Sequence, residues 1–267
     1  MHRPSTTALL AGVVDYAGLF PPAGLTMAEA VGDYRRARGG PSAWMLGRFV
    51  VPAPRLPELA AELDAGTGID AEDGAGAWPV SAIVRDGATD DSAAITAFNA
   101  AADAHGGRVD SVEAKPRALD GIDWLADTCG AIGEVYVELA ADGDLDAALV
   151  RVAARGLRAK IRTGGVTADA FPAPAAVIAF IAAAVRHDVV FKATAGLHHA
   201  LRGDYRLTYA PGAPSAPMYG YLNVLLATAA LQAGATAVEA ETLLTLADPA
   251  ALVLHDGTVT WGGHEFT

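Results

Sequence analysis

The sequence has 267 residues, of which 52% are hydrophobic and 19% charged, so a substantial core can form and disorder is not expected. The net charge of −12 makes nucleic acid and anionic membranes unfavourable partners. The chain's one cysteine, Cys129, cannot form an internal disulfide, which is consistent with a reducing cytoplasm. We interpret Cys129 as a small core residue.

The first twenty residues contain an apolar run, but Asp15 interrupts it and no small-residue cleavage site follows. We therefore expect no signal peptide. No stretch reaches the roughly 18 uninterrupted apolar residues of a membrane span. The sequence predicts a soluble, cytoplasmic protein with one domain over residues 1–267, and it leaves homo-oligomerisation open.

Strand-like and helix-like segments alternate along the chain. In chain order, strands are predicted at residues 9–20, 44–53, 78–87, 108–116, 134–140, 157–165 and 189–196. Helices are predicted at residues 25–40, 55–66, 93–107, 144–156, 171–188 and 218–246, and a loop at 197–217. Thr26 and Glu29 form a capping box for the first helix, and an aspartate caps the helix at 144–156. Residues 251–263 predict a C-terminal β-hairpin with Asp256–Gly257 in its turn.

Strands separated by helices indicate a parallel sheet covered on both faces, which is an α/β fold. At this length we predict a (β/α)8 TIM-type barrel, irregular at one strand, with the C-terminal hairpin appended. The eighth strand is expected near residues 221–227, unless the first segment is not a barrel strand. A doubly wound open sheet is the alternative.

Side chains alternate between the two faces of a strand, and this places several charges inside the predicted barrel. Phe191 belongs to an apolar face that suits packing against helices, so Lys192 and Thr194 should point inward. In the preceding strand Ile161 packs outward, which directs Lys160 and Arg162 inward. The same alternation pairs Glu113 with Lys115 and Tyr136 with Glu138, and Asp15 closes the first strand. We expect these residues near the carboxyl ends of their strands, where barrel enzymes build active sites.

Buried charges must pair with each other or with a ligand. Lys160 is either an ion-pair partner of Glu138 or a second cation that favours the neutral, nucleophilic form of Lys192. Lys192 itself is either a structural ion-pair partner or the reactive amine or base.

Other polar residues after the strands predict substrate binding and proton transfer. The motif RTGG offers an anion a guanidinium, a hydroxyl and two backbone amides just before a helix, supplied by Arg162, Thr163, Gly164 and Gly165. Arg202 is either a loop cation or a second anion clamp. His198 and His199 suit acid/base work or lie on the surface. Asn223 lines the site or caps a helix.

The segments AKIRTGG (159–165) and FKATAGLHH (191–199), with VDYAGLFPPA and GYLNV, resemble signatures of a bacterial protein family of unassigned function. FKATAG also resembles the strand that carries the Schiff-base lysine in class I aldolases of the deoxyribose-phosphate aldolase type. That second resemblance covers about forty residues, and its preceding strand ends in a similar Thr–Gly step. It implies a TIM-barrel aldolase in which Lys192 forms the imine.

Three functions follow from these observations. The leading hypothesis is a carbon–carbon lyase without a cofactor, which acts on a small phosphate- or carboxylate-bearing carbonyl compound. The second is a metal-dependent lyase or isomerase, in which Asp15, Glu113, Glu138 and a histidine bind a divalent ion. The third is a non-catalytic protein that binds a small anion.

Overall fold

Strands and helices alternate along most of the chain in the computed structural model, which describes residues 7, 9–70, 77–141, 143–255, 258–261 and 264–266. The chain divides into two units, Met1–Val135 and Tyr136–Thr267. In each unit parallel strands pair in the order of the chain. The predicted α/β class is confirmed.

The first unit contains four parallel strands and the helices that follow them. The strands are β1 (Val14–Tyr16), β2 (Leu46–Pro52), β3 (Trp78–Val84) and β4 (Gly107–Ala114). The helices are α1 (Met27–Arg38), α2 (Leu56–Asp70), α3 (Thr89–Ala100), α4 (Ala102–His105) and α5 (Leu119–Cys129). Short 3-10 turns occupy Ala43–Met45 and Ala53–Arg55.

Local signals in the sequence explain how α1 begins and what it buries. The Thr26 hydroxyl accepts a hydrogen bond from the Glu29 N–H, and the Glu29 carboxylate accepts one from the Thr26 N–H at 2.9 Å, which is the predicted capping box. Tyr34 on this helix is buried, and its ring lies 4.8 Å from the ring of Trp78 and 5.5 Å from that of Phe49. These aromatic contacts join α1 to β2 and β3.

The second unit continues the pattern and then departs from it. Its parallel strands are β5 (Glu134–Glu138), whose first two residues belong to the first unit, β6 (Arg158–Arg162) and β7 (Phe191–Thr194). Its helices are α6 (Leu145–Ala154), α7 (Pro174–Arg186), α8 (Tyr221–Gln232) and α9 (Ala237–Leu244). The remaining strands are antiparallel: β8 (Gly203–Arg206), β9 (Ser215–Met218), β10 (Val253–Leu254), β11 (Val259–Trp261) and β12 (His264–Phe266). Further 3-10 turns occupy Ala168–Ala170 and Pro249–Ala251.

Helix α7 covers the apolar face of β6 and β7. The segment Ala168–Arg186 has the length and apolar composition of a membrane span. The structure instead divides it into a 3-10 turn and the 13-residue helix α7, and Phe180 on that helix is buried edge-on against Phe191 of β7 at 5.4 Å. Ile161 of β6 is buried as well. These contacts are typical of a core helix.

Three parts of the fold differ from the prediction. Within the described residues parallel pairing involves seven strands, and residues 221–227, the predicted position of an eighth, begin helix α8. The stretch 218–246 is divided into two helices, and the predicted loop at 197–217 contains the antiparallel pair β8–β9. At the C-terminus β10 pairs with β11, and a third strand, β12, joins them. The predicted turn residues 256 and 257 lie outside the described residues.

Candidate active site

Three charged side chains of the second unit share one cross-strand row. The backbone register places Glu138 of β5 opposite Lys160 of β6, and Lys160 opposite Lys192 of β7. Adjacent strands lie about 4.8 Å apart, so the three Cα atoms span about 10 Å. Ile161 and Phe191 point toward α7, which leaves this row on the opposite face as predicted.

Lys160 and Glu138 form a buried ion pair. The Lys160 Nζ lies 2.9 Å from the Glu138 Oε2, and the two side chains are only 7% and 12% exposed. The predicted ion-pair role of Lys160 therefore has a direct geometric basis. Because this carboxylate offsets much of the Lys160 charge, the geometry does not favour Lys160 as the cation that activates Lys192.

Lys192 lies on the face of a tyrosine. Its Nζ is 4.4 Å from the centroid of the Tyr136 ring, which is the geometry of a cation–π contact. The Arg158 guanidinium donates a hydrogen bond to the Tyr136 hydroxyl at 3.3 Å and lies 5.6 Å from the same ring. Alternation along β5 predicts that Tyr136 faces the same way as Glu138. Neither Tyr136 nor Arg158 is among the catalytic or binding residues predicted from the sequence.

Arg162 lies two residues beyond Lys160, at the carboxyl end of β6 and opposite Thr194. It is exposed, and within the described residues it has no ion-pair partner. Two residues of a strand span about 6.6 Å, so Arg162 lies nearer to solvent than the Glu138–Lys160–Lys192 row. An exposed guanidinium at a strand end can bind a carboxylate or phosphate.

The rest of the RTGG motif has structural contacts that the prediction did not include. The hydroxyl of Thr163 is buried and donates to the Ala195 carbonyl at 2.9 Å. A Cβ on Gly164 would lie 2.5 Å from Cε1 of Phe171, and one on Gly165 would lie 2.7 Å from the Ala170 Cβ. The Thr163 hydroxyl therefore has a partner within the fold, and glycine at position 164 permits close packing. The substrate-binding role predicted for Thr163, Gly164 and Gly165 stays a prediction.

The two histidines after β7 have different surroundings. His198 is exposed, although the protein atoms around its ring, followed by the adjacent His199, lower the pKa of the His198 imidazole below its ordinary value of 6.5. The His199 ring stacks on Tyr205 of β8, with centroids 3.4 Å apart and planes inclined by 12°. The lowered pKa favours the neutral His198 imidazole, which can accept a proton, whereas His199 packs against Tyr205 of β8.

Arg202 and Asn223 organise the segment that leads into α8. The Asn223 Oδ1 accepts from the Arg202 and Gly220 N–H groups, and its Nδ2 donates to the carbonyls of Leu243 and Leu246. These four bonds use every donor and acceptor position of the amide, so Asn223 is structural and not available to line a site. The Arg202 guanidinium lies 5.4 Å from the Tyr219 ring centroid.

Two predicted residues lie at the carboxyl end of β4 in the first unit. Glu113 is buried and accepts a hydrogen bond from the Ser81 hydroxyl at 2.8 Å, and Ser81 lies 3.3 Å from the Ser111 hydroxyl. Lys115 is exposed, one residue beyond the end of the strand. Both positions agree with the predicted strand and its direction.

Asp15 lies away from the carboxyl ends of the neighbouring strands β2, β3 and β4. Strand β1 pairs with the amino half of β2, where the Asp15 Oδ1 accepts from the Arg48 N–H at 2.8 Å. The carboxyl end of β2, Pro52, is four residues further on and lies at the level of Ile83, which is the partner of Glu113. Four residues of a strand span about 13 Å. Asp15 closes β1 as predicted, one residue before its end, but β1 ends at the amino half of β2, and the Asp15 carboxylate there accepts from the backbone. Its substrate-binding role stays a prediction.

Lysines are used sparingly in this chain. It has nineteen Lys and Arg residues but only three lysines, so sixteen are arginines. The three lysines are Lys115, directly after β4, Lys160 in β6 and Lys192 in β7. An amine differs from a guanidinium in that it can lose its proton and attack a carbonyl. Counting the lysines and comparing their positions with the predicted strands would have revealed this restriction.

The ligand set of the metal-dependent alternative is not found. Across the described residues no three His, Cys, Asp or Glu side chains form a group that could hold a metal ion. Asp15 is also engaged by the Arg48 backbone, as described above. The predicted combination of Asp15, Glu113, Glu138 and a histidine therefore has no geometric support.

Comparisons with known proteins yield one match. No family model matches the chain, and no curated protein does. Among solved structures, a fructose-bisphosphate aldolase from Campylobacter jejuni aligns with a TM-score of 0.36 and 14% sequence identity over 69% of this chain. The alignment spans 66% of that aldolase, just under two thirds of its length.

Proposed function

We propose that this protein is a carbon–carbon lyase of the aldolase type that forms an imine between Lys192 and a small anionic carbonyl compound. The observation that carries the proposal is the row of Glu138, Lys160 and Lys192 on one face of three neighbouring parallel strands. Two amines and a carboxylate on one face can supply the nucleophile and the proton-transfer group that imine chemistry needs. The restriction of lysine to three positions in the chain supports the same conclusion.

The reaction begins when neutral Lys192 attacks the carbonyl carbon of the substrate. The resulting carbinolamine takes up a proton from solvent and loses water, which gives a protonated imine. In a β-hydroxy carbonyl substrate, Glu138 or His198 accepts the proton of the hydroxyl group, and the bond between the α and β carbons breaks. Its electron pair moves into the imine to give an enamine, and the β fragment leaves as an aldehyde. Protonation of the enamine and hydrolysis then restore the amine and release the second carbonyl product.

The anionic group of the substrate is assigned to Arg162. A guanidinium at the outer end of β6 can bind a phosphate or carboxylate while the carbonyl reaches the deeper row. Lys160 then neutralises the Glu138 carboxylate in the resting protein. The acidic composition and the lone cysteine support a cytoplasmic protein without a nucleic-acid or membrane partner.

Borohydride trapping tests the proposal. The protein is incubated with pyruvate, glyoxylate or acetaldehyde, reduced with borohydride, and digested for peptide mass analysis. The proposal predicts an adduct on Lys192 that is lost in Lys192→Arg and retained in the matched control Lys115→Arg. If a compound that the protein converts leaves Lys192 unmodified after reduction, the imine mechanism is refuted.

A second function, binding of a small anion without catalysis, is favoured by the contact between Lys192 and Tyr136. An amine placed over a ring face at 4.4 Å makes a cation–π contact and can also attract a small anion. In that case phosphate or a carboxylic acid should raise the melting temperature in a saturable way, and Lys192→Met or Arg162→Met should abolish the shift. No adduct and no turnover would accompany it.

A further inference from the structure

The carboxyl ends of β6 and β7 are joined by side-chain and backbone hydrogen bonds from one residue. The Thr163 N–H donates to the Thr194 carbonyl at 2.8 Å. Its hydroxyl donates to the Ala195 carbonyl at 2.9 Å and lies 3.3 Å from the Thr194 carbonyl. Thr163 is completely buried, so these bonds are shielded from water.

The acceptor of the hydroxyl lies in an unfavourable backbone conformation. Ala195 has a φ of +66°, and Gly196 follows with a φ of +75°. Left-handed conformation is easy for glycine but costs an alanine roughly 1 kcal/mol because Cβ approaches the carbonyl oxygen. A specific interaction must offset that cost, and the hydrogen bond from Thr163 to the Ala195 carbonyl is such an interaction.

Close packing fixes the same pair of loops. A Cβ on Gly196 would lie 3.1 Å from the Gly164 Cα and 2.8 Å from the Phe171 Cε1. Phe171 also packs against the buried cluster of Leu207, Ala216 and Met218. The end of β7 is therefore held by the hydrogen bonds of Thr163 and by close packing against the Phe171 ring.

We propose that Thr163 is a positioning residue for Lys192: its hydroxyl holds Ala195 in the left-handed conformation and so fixes the end of β7 that carries the lysine. Lys192 lies three residues before Ala195 on a strand of only four residues. A rotation of the Ala195 peptide would disturb the register that places the Lys192 Nζ over Tyr136. The proposal deepens the function proposed above, since a fixed amine is what imine formation requires.

The position of Lys192 can be measured without a substrate. Reductive methylation with 13C-formaldehyde labels the amines and keeps their charge, and the chain offers only three lysines to assign. The Tyr136 ring current should shift the Lys192 methyl signal upfield, and Lys192→Arg identifies that signal by its loss. Thr163→Val should move the Lys192 signal toward the value of an unfolded peptide, while Thr163→Ser, which retains the hydroxyl, should not. Lys115 serves as the internal reference.

A second substitution separates positioning from general stability. Glycine adopts a positive φ without help, so Thr163→Val combined with Ala195→Gly should return the Lys192 signal to its wild-type position. A wild-type signal in Thr163→Val would overturn the proposal. A double variant whose Lys192 signal stays displaced would overturn it as well. If Thr163→Val alone does not fold, a double variant that also does not fold would have the same meaning. Absence of a borohydride adduct in the wild type would refute only the imine mechanism, because the methyl signal still reports the position of Lys192.

Discussion

Replacing Glu138 by glutamine should destabilise the protein through Lys160. The substitution keeps the shape of the side chain but removes the charge that lies 2.9 Å from the Lys160 Nζ. Both side chains are almost buried, and removing one partner of a buried ion pair typically costs about 3–5 kcal/mol, because the remaining lysine loses the opposite charge of Glu138. For a chain of 267 residues that unfolds in one step, about 2.1 cal/mol/K per residue converts this loss to about 5–9 °C in melting temperature.

Thermal unfolding followed by circular dichroism at pH 7 measures the effect, and a double variant provides the control. Glu138→Gln with Lys160→Met removes both charges, and it should lose less stability than Glu138→Gln alone, since replacing a buried pair by neutral groups is often nearly neutral. A melting temperature for Glu138→Gln within about 1 °C of wild type would refute the reasoning. The prediction would also be contradicted if the double variant loses as much stability as Glu138→Gln and Lys160→Met lose separately, added together.

Three further predictions test other parts of the site. Tyr136→Leu removes a cation–π contact worth about 0.5–2 kcal/mol, so reductive methylation of Lys192 should accelerate by about two- to thirtyfold, while Tyr136→Phe should react like wild type. Gly164→Ala places a Cβ 2.5 Å from the Phe171 ring and should lower the free energy of unfolding in urea by about 1–3 kcal/mol. Adding Phe171→Leu should restore part of that loss, and an unchanged urea midpoint for Gly164→Ala would contradict the prediction. The His198 imidazole should titrate below 6.5 in an NMR experiment, because its surroundings lower its pKa. Since the unfolded chain binds that proton more readily, the associated stability is complete above pH 6.5 and is lost as the pH falls through the lower folded pKa; a midpoint at or above 6.5 would refute the assignment.

Strand parity was the most informative feature of the sequence. The alternation of apolar and charged residues correctly placed Lys160 opposite to the face that α7 covers, because side chains in a strand alternate strictly. The capping box at Thr26 and the aspartate cap at Asp144 were also confirmed, since both depend on bonds within one helical turn.

Features that depend on partners distant in the chain were not predictable in the same way. Alternation predicts which face of the sheet Asp15 occupies. It does not predict its position along the neighbouring strand, which the pairing of β1 with the amino half of β2 determines. The sequence shows that Thr163 has a hydroxyl, but only the fold brings the Ala195 carbonyl to it. Residues 221–227 are apolar on most sides, and such a short run does not distinguish a buried strand from the first turns of a buried helix.

The proposed imine chemistry requires Lys192 to be the reactive amine among the three lysines. Competitive labelling measures this: the folded protein receives a trace of a radioactive carbonyl compound and borohydride at neutral pH, and the label is counted in the peptides that contain Lys115, Lys160 and Lys192. Lys192 should carry the larger share of the label, although Lys115 is the more exposed. Label concentrated on Lys115, or shared in proportion to exposure, would contradict it.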